Sequence, residues 1–128
     1  MIIIKCPLRI SLLGGGTDIP EVYKLINSGK IISTTIDKFI YIFISEHSAF
    51  KEKFRLNYSD TEIVSSLNSI NNNIIRETLK YFNWNKPIYI GTVADIPANT
   101  GLGSSSSFCA GLVKGLSILR GKKLSIEE

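Results

Sequence analysis

Between residues 95 and 107 the chain reads D-I-P-A-N-T-G-L-G-S-S-S-S and runs directly into F-C-A-G-L-V-K-G-L-S-I-L-R. The entrance of a helix presents unpaired N–H groups and partial positive charge, and both stabilise an anion placed there. Gly101 and Gly103 permit tight turns and clear the approach to the backbone, while Ser104, Ser105 and Ser106 add hydroxyl donors beside the amides. The chemistry this combination supports is the cradling of a polyphosphate; a plain helix start made of Gly and Ser is the alternative. Two other phosphate loops are excluded. No Lys follows Gly103, as a Walker A loop requires, and the triplet at 101–106 ends in serine where the dinucleotide fingerprint has glycine.

Periodicity predicts the elements that hold this loop. Residues 87–93 are β-branched enough for a strand, and a helix from Ser104 to Leu119 follows the loop, with Phe108, Leu112, Val113, Leu116 and Leu119 as its buried stripe and Gly121 as its stop. Upstream, residues 2–5 and 9–13 flank Pro7 as two strands or one broken strand. Gly14, Gly15 and Gly16 then stop the strand, and Thr17 or Asp18 caps a helix with Pro20 in its first turn, Val22, Leu25 and Ile26 on one face, and Gly29 as its end. Residues 30–37 and 39–45 read as antiparallel strands, 54–58 as a short strand, and 60–70 as a loop with a helical turn or two. Ile74, Ile75, Thr78, Leu79 and Phe82 share one helical face behind cap candidates at Asn71–Asn73. Ser125 and the two glutamates after Ile126 look like the start of another helix, so the chain is expected to continue.

With 44% hydrophobic and 20% charged residues among 128, a disordered tail is excluded and one packed domain, or one piece of a larger one, is expected. The net charge of +4 is spread along the chain, which points away from nucleic acid and leaves a phosphorylated small ligand compatible. Cys6 and Cys109 lack metal or redox spacing and are expected as buried, reduced thiols. Lys5 and Arg9 interrupt the opening apolar run, so neither a signal peptide nor a membrane span fits, and a cytoplasmic protein is expected. His47 reads as a solvated loop residue, and Trp84 as a packing residue.

The run P-x-x-x-G-L-G-S-S, with Pro97 and Gly101 in register, resembles the ATP-binding motif of the GHMP kinases, the galacto-, homoserine, mevalonate and phosphomevalonate kinases. A second stretch, P-L-R-I-S-L-L-G-G-G-T-D at 7–18, is similar to the family's first motif, which in galactokinases reads P-G-R-V-N-L-I-G-E-H-T-D. Arg9, Gly14, Thr17 and Asp18 fall in register, but Gly15 and Gly16 replace the Glu and His with which galactokinases help hold their sugar. Together with S-T-T-I-D-K-F-I-Y-I at 33–42, this form looks like the D-glycero-D-manno-heptose 7-phosphate kinase branch.

The resemblance implies an α+β fold like the second domain of ribosomal protein S5, with residues 1–128 as the N-terminal ATP-binding part of a longer kinase. It implies phosphoryl transfer from ATP to a sugar or sugar-phosphate hydroxyl, first the anomeric hydroxyl of heptose 7-phosphate and second L-fucose or another free sugar. A fragment that binds nucleotide without chemistry is the competing reading. ATP would be held by Pro97, Gly101, Leu102, Gly103, Ser104, Ser105 and Ser106, and Mg²⁺ by Ser105, with Ser104 as the alternative. Arg9 would carry positive charge beside the reacting phosphate. Gly15, Gly16, Thr17 and Asp18 would meet the sugar. The catalytic aspartate and a further glycine-rich motif are expected beyond Glu128, in the C-terminal part of the kinase, so this chain alone is expected to be inactive.

Overall fold

A computed structural model describes residues 1–17, 19–26, 28–47, 52–98 and 100–122. Strands β1 (Ile2–Leu13), β2 (Ile32–Glu46), β3 (Phe54–Asn57), β4 (Thr61–Val64) and β5 (Ile88–Ala94) form one sheet in the order β1-β2-β5-β3-β4. Its pairings are antiparallel except that of β3 with β5, which is parallel. Helices α1 (Pro20–Ile26), α2 (Asn73–Tyr81) and α3 (Ser104–Leu119) complete the α+β architecture.

Alternation along the strands sends Ile40, Ile42 and Ile44 of β2, Ile88 and Ile90 of β5, and Phe54 and Leu56 of β3 to one face of the sheet. There they are buried with Leu112 and Leu116 of α3 and Ile75 and Leu79 of α2, each burial contributing about 1.5–3 kcal/mol. Trp84 joins this core, its indole N–H donating to the Lys86 carbonyl at 2.9 Å. Gly111 and Gly115 set how closely α3 lies on the sheet. A Cβ on Gly111 would come 2.5 Å from Ile42 Cδ1 and 2.6 Å from Cys6 Sγ, and one on Gly115 would collide with Ile44 Cδ1. The helix therefore sits low over β1 and β2, which brings its N-terminal end down to the strand that carries Arg9.

Several local expectations are met and several are corrected. Helix α3 spans Ser104–Leu119 and stops at Gly121, which has φ +66°; Asn72 caps α2 by accepting from the Ile75 N–H at 3.1 Å. Residues 2–13 are one strand whose pairing slips between Pro7 and Arg9 and again between Ser11 and Leu13, and Pro7 is tolerated because β1 lies at the sheet edge. The two strands expected within 30–45 are a single one, β2, since no Gly or Pro interrupts Asp37-Lys38. Its first half pairs with the end of β1, and its second half lies between β1 and β5. Within the loop expected at 60–70, Thr61–Val64 returns as β4 against β3, before a 3₁₀ turn at Leu67–Ser69. Val22, Leu25 and Ile26 do not form a buried face: Leu25 is 87% exposed, and no residue of α1 is buried. Cys6 and Cys109 are unpaired but only half-buried, with burial pushing the Cys6 thiol pKa up. Among the described residues, no helix is long and apolar enough to cross a membrane. The helix expected to open at Ser125 lies outside the described residues.

Candidate phosphate-binding site

As an edge strand, β1 has one row of backbone groups that no other strand takes up. Around the slip at Leu8, which is itself buried, the loop before α3 and the helix's first turn take up two of them. The Pro7 carbonyl accepts from Ser107 Oγ at 2.9 Å, and the Arg9 N–H donates to the Leu102 carbonyl at 3.0 Å. Segments up to 100 positions apart in sequence are thereby stitched on both sides of Leu8, immediately before the Arg9 side chain, with Leu102 packed against the core.

Gly103, at φ +73°, precedes α3 without any side-chain cap. A Cβ there would also lie 2.8 Å from Arg9 Cγ and 3.1 Å from Arg9 Nε, so the position needs glycine for its conformation and for its closeness to Arg9. Gly101 shares φ +73° but faces open space, so there only the backbone conformation calls for glycine. Pro97 starts the turn, its carbonyl accepting from Thr100 Oγ1 at 3.3 Å.

The four serines separate in use. Ser106 Oγ donates back to the Gly103 carbonyl at 2.9 Å and Ser107 Oγ to Pro7, whereas the hydroxyls of Ser104 and Ser105 have no partner among the described residues. Together with Arg9, Gly101, Gly103 and Ser106 they line an open cavity of about 510 Å³. The first-turn amides of α3 have no intrahelical acceptor and no capping side chain, so they remain as donors. Among the described residues the Arg9 guanidinium faces no carboxylate, and its one hydrogen bond goes from Nη1 to Ser11 Oγ, at 2.5 Å. Backbone donors, two unengaged hydroxyls and a cation around one cavity fit the phosphates of a nucleotide. For Mg²⁺ the fit is partial. A serine hydroxyl is available, but no cluster of three His, Cys, Asp or Glu stands among the described residues, so most ligands would come from phosphate oxygens and water.

Ser104 and Ser105 also line a second cavity, of about 280 Å³, with Tyr58, Asn72, Ile74 and Phe108. Sequence reasoning missed this wall. It is braced by Glu62, a buried carboxylate on β4 that accepts from Tyr58 Oη at 2.6 Å and from the N–H groups of Asn71 at 2.7 Å and Asn72 at 3.2 Å. Burial pushes the Glu62 carboxyl up, but the Tyr58 hydroxyl, the two amides and the Arg76 charge outweigh it and hold the group below the usual carboxylate range. Burial, then the neighbouring carboxylates, push the Tyr58 hydroxyl up to about 12.

The glycine-rich turn after β1 is built differently. Gly14 has φ +80°, and a Cβ there would run into the Lys30 carbonyl. Thr17 braces the turn instead of capping α1: its Oγ1 lies 2.7 Å from the Gly14 carbonyl oxygen and 3.1 Å from that of Lys30, and accepts from the Lys30 N–H at 3.2 Å. The Ile19 carbonyl receives the first N–H groups of α1. Gly15 and Gly16 are exposed, and neither they nor Thr17 line the cavity at Arg9, although a Cβ on Gly15 would lie 3.7 Å from Ser11 Cβ. Asp18 lies outside the described residues. Asp95 clamps a strand end, Oδ2 accepting from the Phe39 N–H at 2.9 Å, and Asp37 is exposed; neither lines the cavity.

Comparison with known proteins bears on the fold. Residues 68–128 match the family model of the GHMP kinases N terminal domain. The chain is 29% identical to the D-glycero-alpha-D-manno-heptose 7-phosphate kinase of Campylobacter jejuni, an alignment covering 86% of this chain and 35% of that protein. Its fold matches the crystal structure of a D-glycero-D-manno-heptose 1-phosphate kinase from Bacteriodes thetaiotaomicron with a TM-score of 0.79 at 23% identity, over 98% of this chain and 44% of the other. It also matches a Streptococcus pneumoniae phosphomevalonate kinase, solved with phosphomevalonate and AMPPNP, with a TM-score of 0.66 at 21% identity, over 98% and 39% of the two chains. The fold is that of the N-terminal domain of GHMP kinases, as the resemblance implied, and the segment matched to the family takes in the loop at 97–105 but not the stretch at 7–18. Heptose phosphate kinases are among the relatives, and this chain spans less than half the length of each protein named here.

Proposed function

We propose that residues 1–128 are the ATP-binding N-terminal part of a GHMP-type sugar kinase, which transfers a phosphoryl group from Mg-ATP to a sugar hydroxyl. The observation that carries this reading is the meeting of Arg9, the free amides of α3 and the unengaged hydroxyls of Ser104 and Ser105 around one cavity. Bound ATP would supply the γ-phosphoryl group. The bond from the γ-phosphorus to its bridging oxygen breaks, the sugar oxygen takes its place, and the hydroxyl proton leaves to a base outside this segment. This chain's part is to hold and neutralise: amides and hydroxyls of 101–106 fix the phosphates, and the Arg9 guanidinium balances charge that grows on the transferring group. The adjoining cavity at Tyr58 and Phe108 has the apolar lining and position for the nucleoside half of the same ligand.

The acceptor we favour is the anomeric hydroxyl of heptose 7-phosphate, supported by the G-G-G-T-D turn and by the relatives named above. Gly15, where a Cβ would lie 3.7 Å from Ser11 Cβ, and Gly16, which faces open space, leave room that bulkier side chains would fill. The test is to express the whole open reading frame that carries this segment and follow ADP release with Mg-ATP and a panel of heptose phosphates, L-fucose and galactose. Turnover with a heptose phosphate and none with galactose is the expected result. Nucleotide binding with no acceptor turned over would support the non-catalytic reading instead.

A further inference from the structure

Ser11 belongs to the same motif as Arg9, yet nothing so far gives it a part in the reaction. Strand alternation puts the two on one side of β1, two residues apart. The slips in pairing that bracket them, between Pro7 and Arg9 and between Ser11 and Leu13, isolate residues 9–11 as a short segment with its own orientation. Three contacts govern the Arg9 side chain. Its backbone is tied to Leu102, its stem passes where Gly103 lacks a Cβ, and its Nη1 donates to Ser11 Oγ at 2.5 Å. The first two settle where the stem runs, and among the described residues only the third restrains the guanidinium itself. An arginine head on a long stem loses rotamer freedom only when something holds it, and here that holder is a neutral acceptor. A carboxylate at position 11 would restrain the head equally well, but would cancel the charge that the cavity needs.

We infer that Ser11 is a positioning residue, which aims the Arg9 guanidinium at the phosphate cavity without neutralising it. The inference rests on the reading of Arg9 as the cation of the phosphoryl-transfer site, and the test separates the two. In the whole kinase, Ser11→Ala should lower kcat about 5-fold to 10-fold, with the KM for ATP changed less than about 2-fold, the scale of one hydrogen bond lost from a transition-state contact. Ser11→Thr, which keeps the hydroxyl, should restore turnover. In an Arg9→Met background the Ser11→Ala change should have almost no further effect, because residues acting through one another are not additive. An equal loss from Ser11→Ala in both backgrounds, or unchanged kcat in the single variant while Arg9→Met is damaging, would overturn the inference and leave the role of Arg9 intact. Unchanged kcat in Arg9→Met would remove both.

Discussion

At the residue scale, function is carried by groups that the fold leaves unengaged. Arg9 has no anionic partner among the described residues and opens onto the cavity. Arg9→Met should lower kcat by about 10²-fold with little change in thermal stability, checked by initial rates beside a melting curve. An early-melting variant with normal turnover per folded molecule would make Arg9 a structural residue. Gly103→Val combines a positive φ with a collision against the Arg9 stem, so it should lose both nucleotide binding and the aim of Arg9; calorimetry with Mg-AMPPNP on the whole kinase reads this directly. Ser105→Ala should weaken Mg²⁺-dependent transfer, whereas Ser106→Ala, whose hydroxyl already serves the Gly103 carbonyl, should act mainly through stability. A Mg²⁺ titration of both variants discriminates the two serines.

At the element scale, the hairpin of β3 and β4 and the start of α2 are joined through Glu62. Glu62→Gln puts an amide NH₂ against backbone donors, and should cost about 2 kcal/mol in a denaturant titration of the whole kinase. The pH dependence has a definite sign. Glu62 has a folded-state pKa below its unfolded value, so its contribution is complete above the unfolded pKa and is lost as pH falls through the folded one. Glu62→Gln should therefore flatten the acid limb of the stability profile. Tyr58, pushed up to about 12, behaves oppositely: its contribution is complete below the ordinary tyrosine pKa and is lost as pH rises from there through the raised folded-state value.

At the scale of the whole molecule, the end of β1 and the start of β2 expose apolar side chains side by side, and helix α1 exposes more of them, without cover among the described residues. Leu12 is 62% exposed, Leu13 67%, Leu25 87% and Ile32 58%, with Leu13 and Ile32 paired in register. Such a patch favours association. Residues 1–128 purified alone should self-associate in light scattering and show no sugar phosphorylation, and Leu25→Glu should reduce the association without restoring activity. A monodisperse, catalytically active 128-residue chain would show that the carboxylate of the reaction lies within this segment, with Asp18, Asp37 and Asp95 as the groups to mutate.

The sequence by itself determined the elements whose signals are local. Ser104–Leu119 is legible because its apolar spacing and its flanking glycines at 103 and 121 act within one helix, and the phosphate loop is legible because glycine and serine donors stand together in the chain. Tertiary structure alone decided what depends on partners far along the chain. Leu25 is expected on a buried face but is exposed, while Glu62, in a stretch expected as a loop, is buried between exposed Thr61 and Ile63, because the face a side chain takes follows from register and from what packs there. Nothing local in P-L-R-I-S tells that Pro7 and Arg9 straddle the start of a helix a hundred residues later. That contact exists because an edge strand has backbone groups to satisfy, and because Gly111 and Gly115 let α3 come low enough to satisfy them.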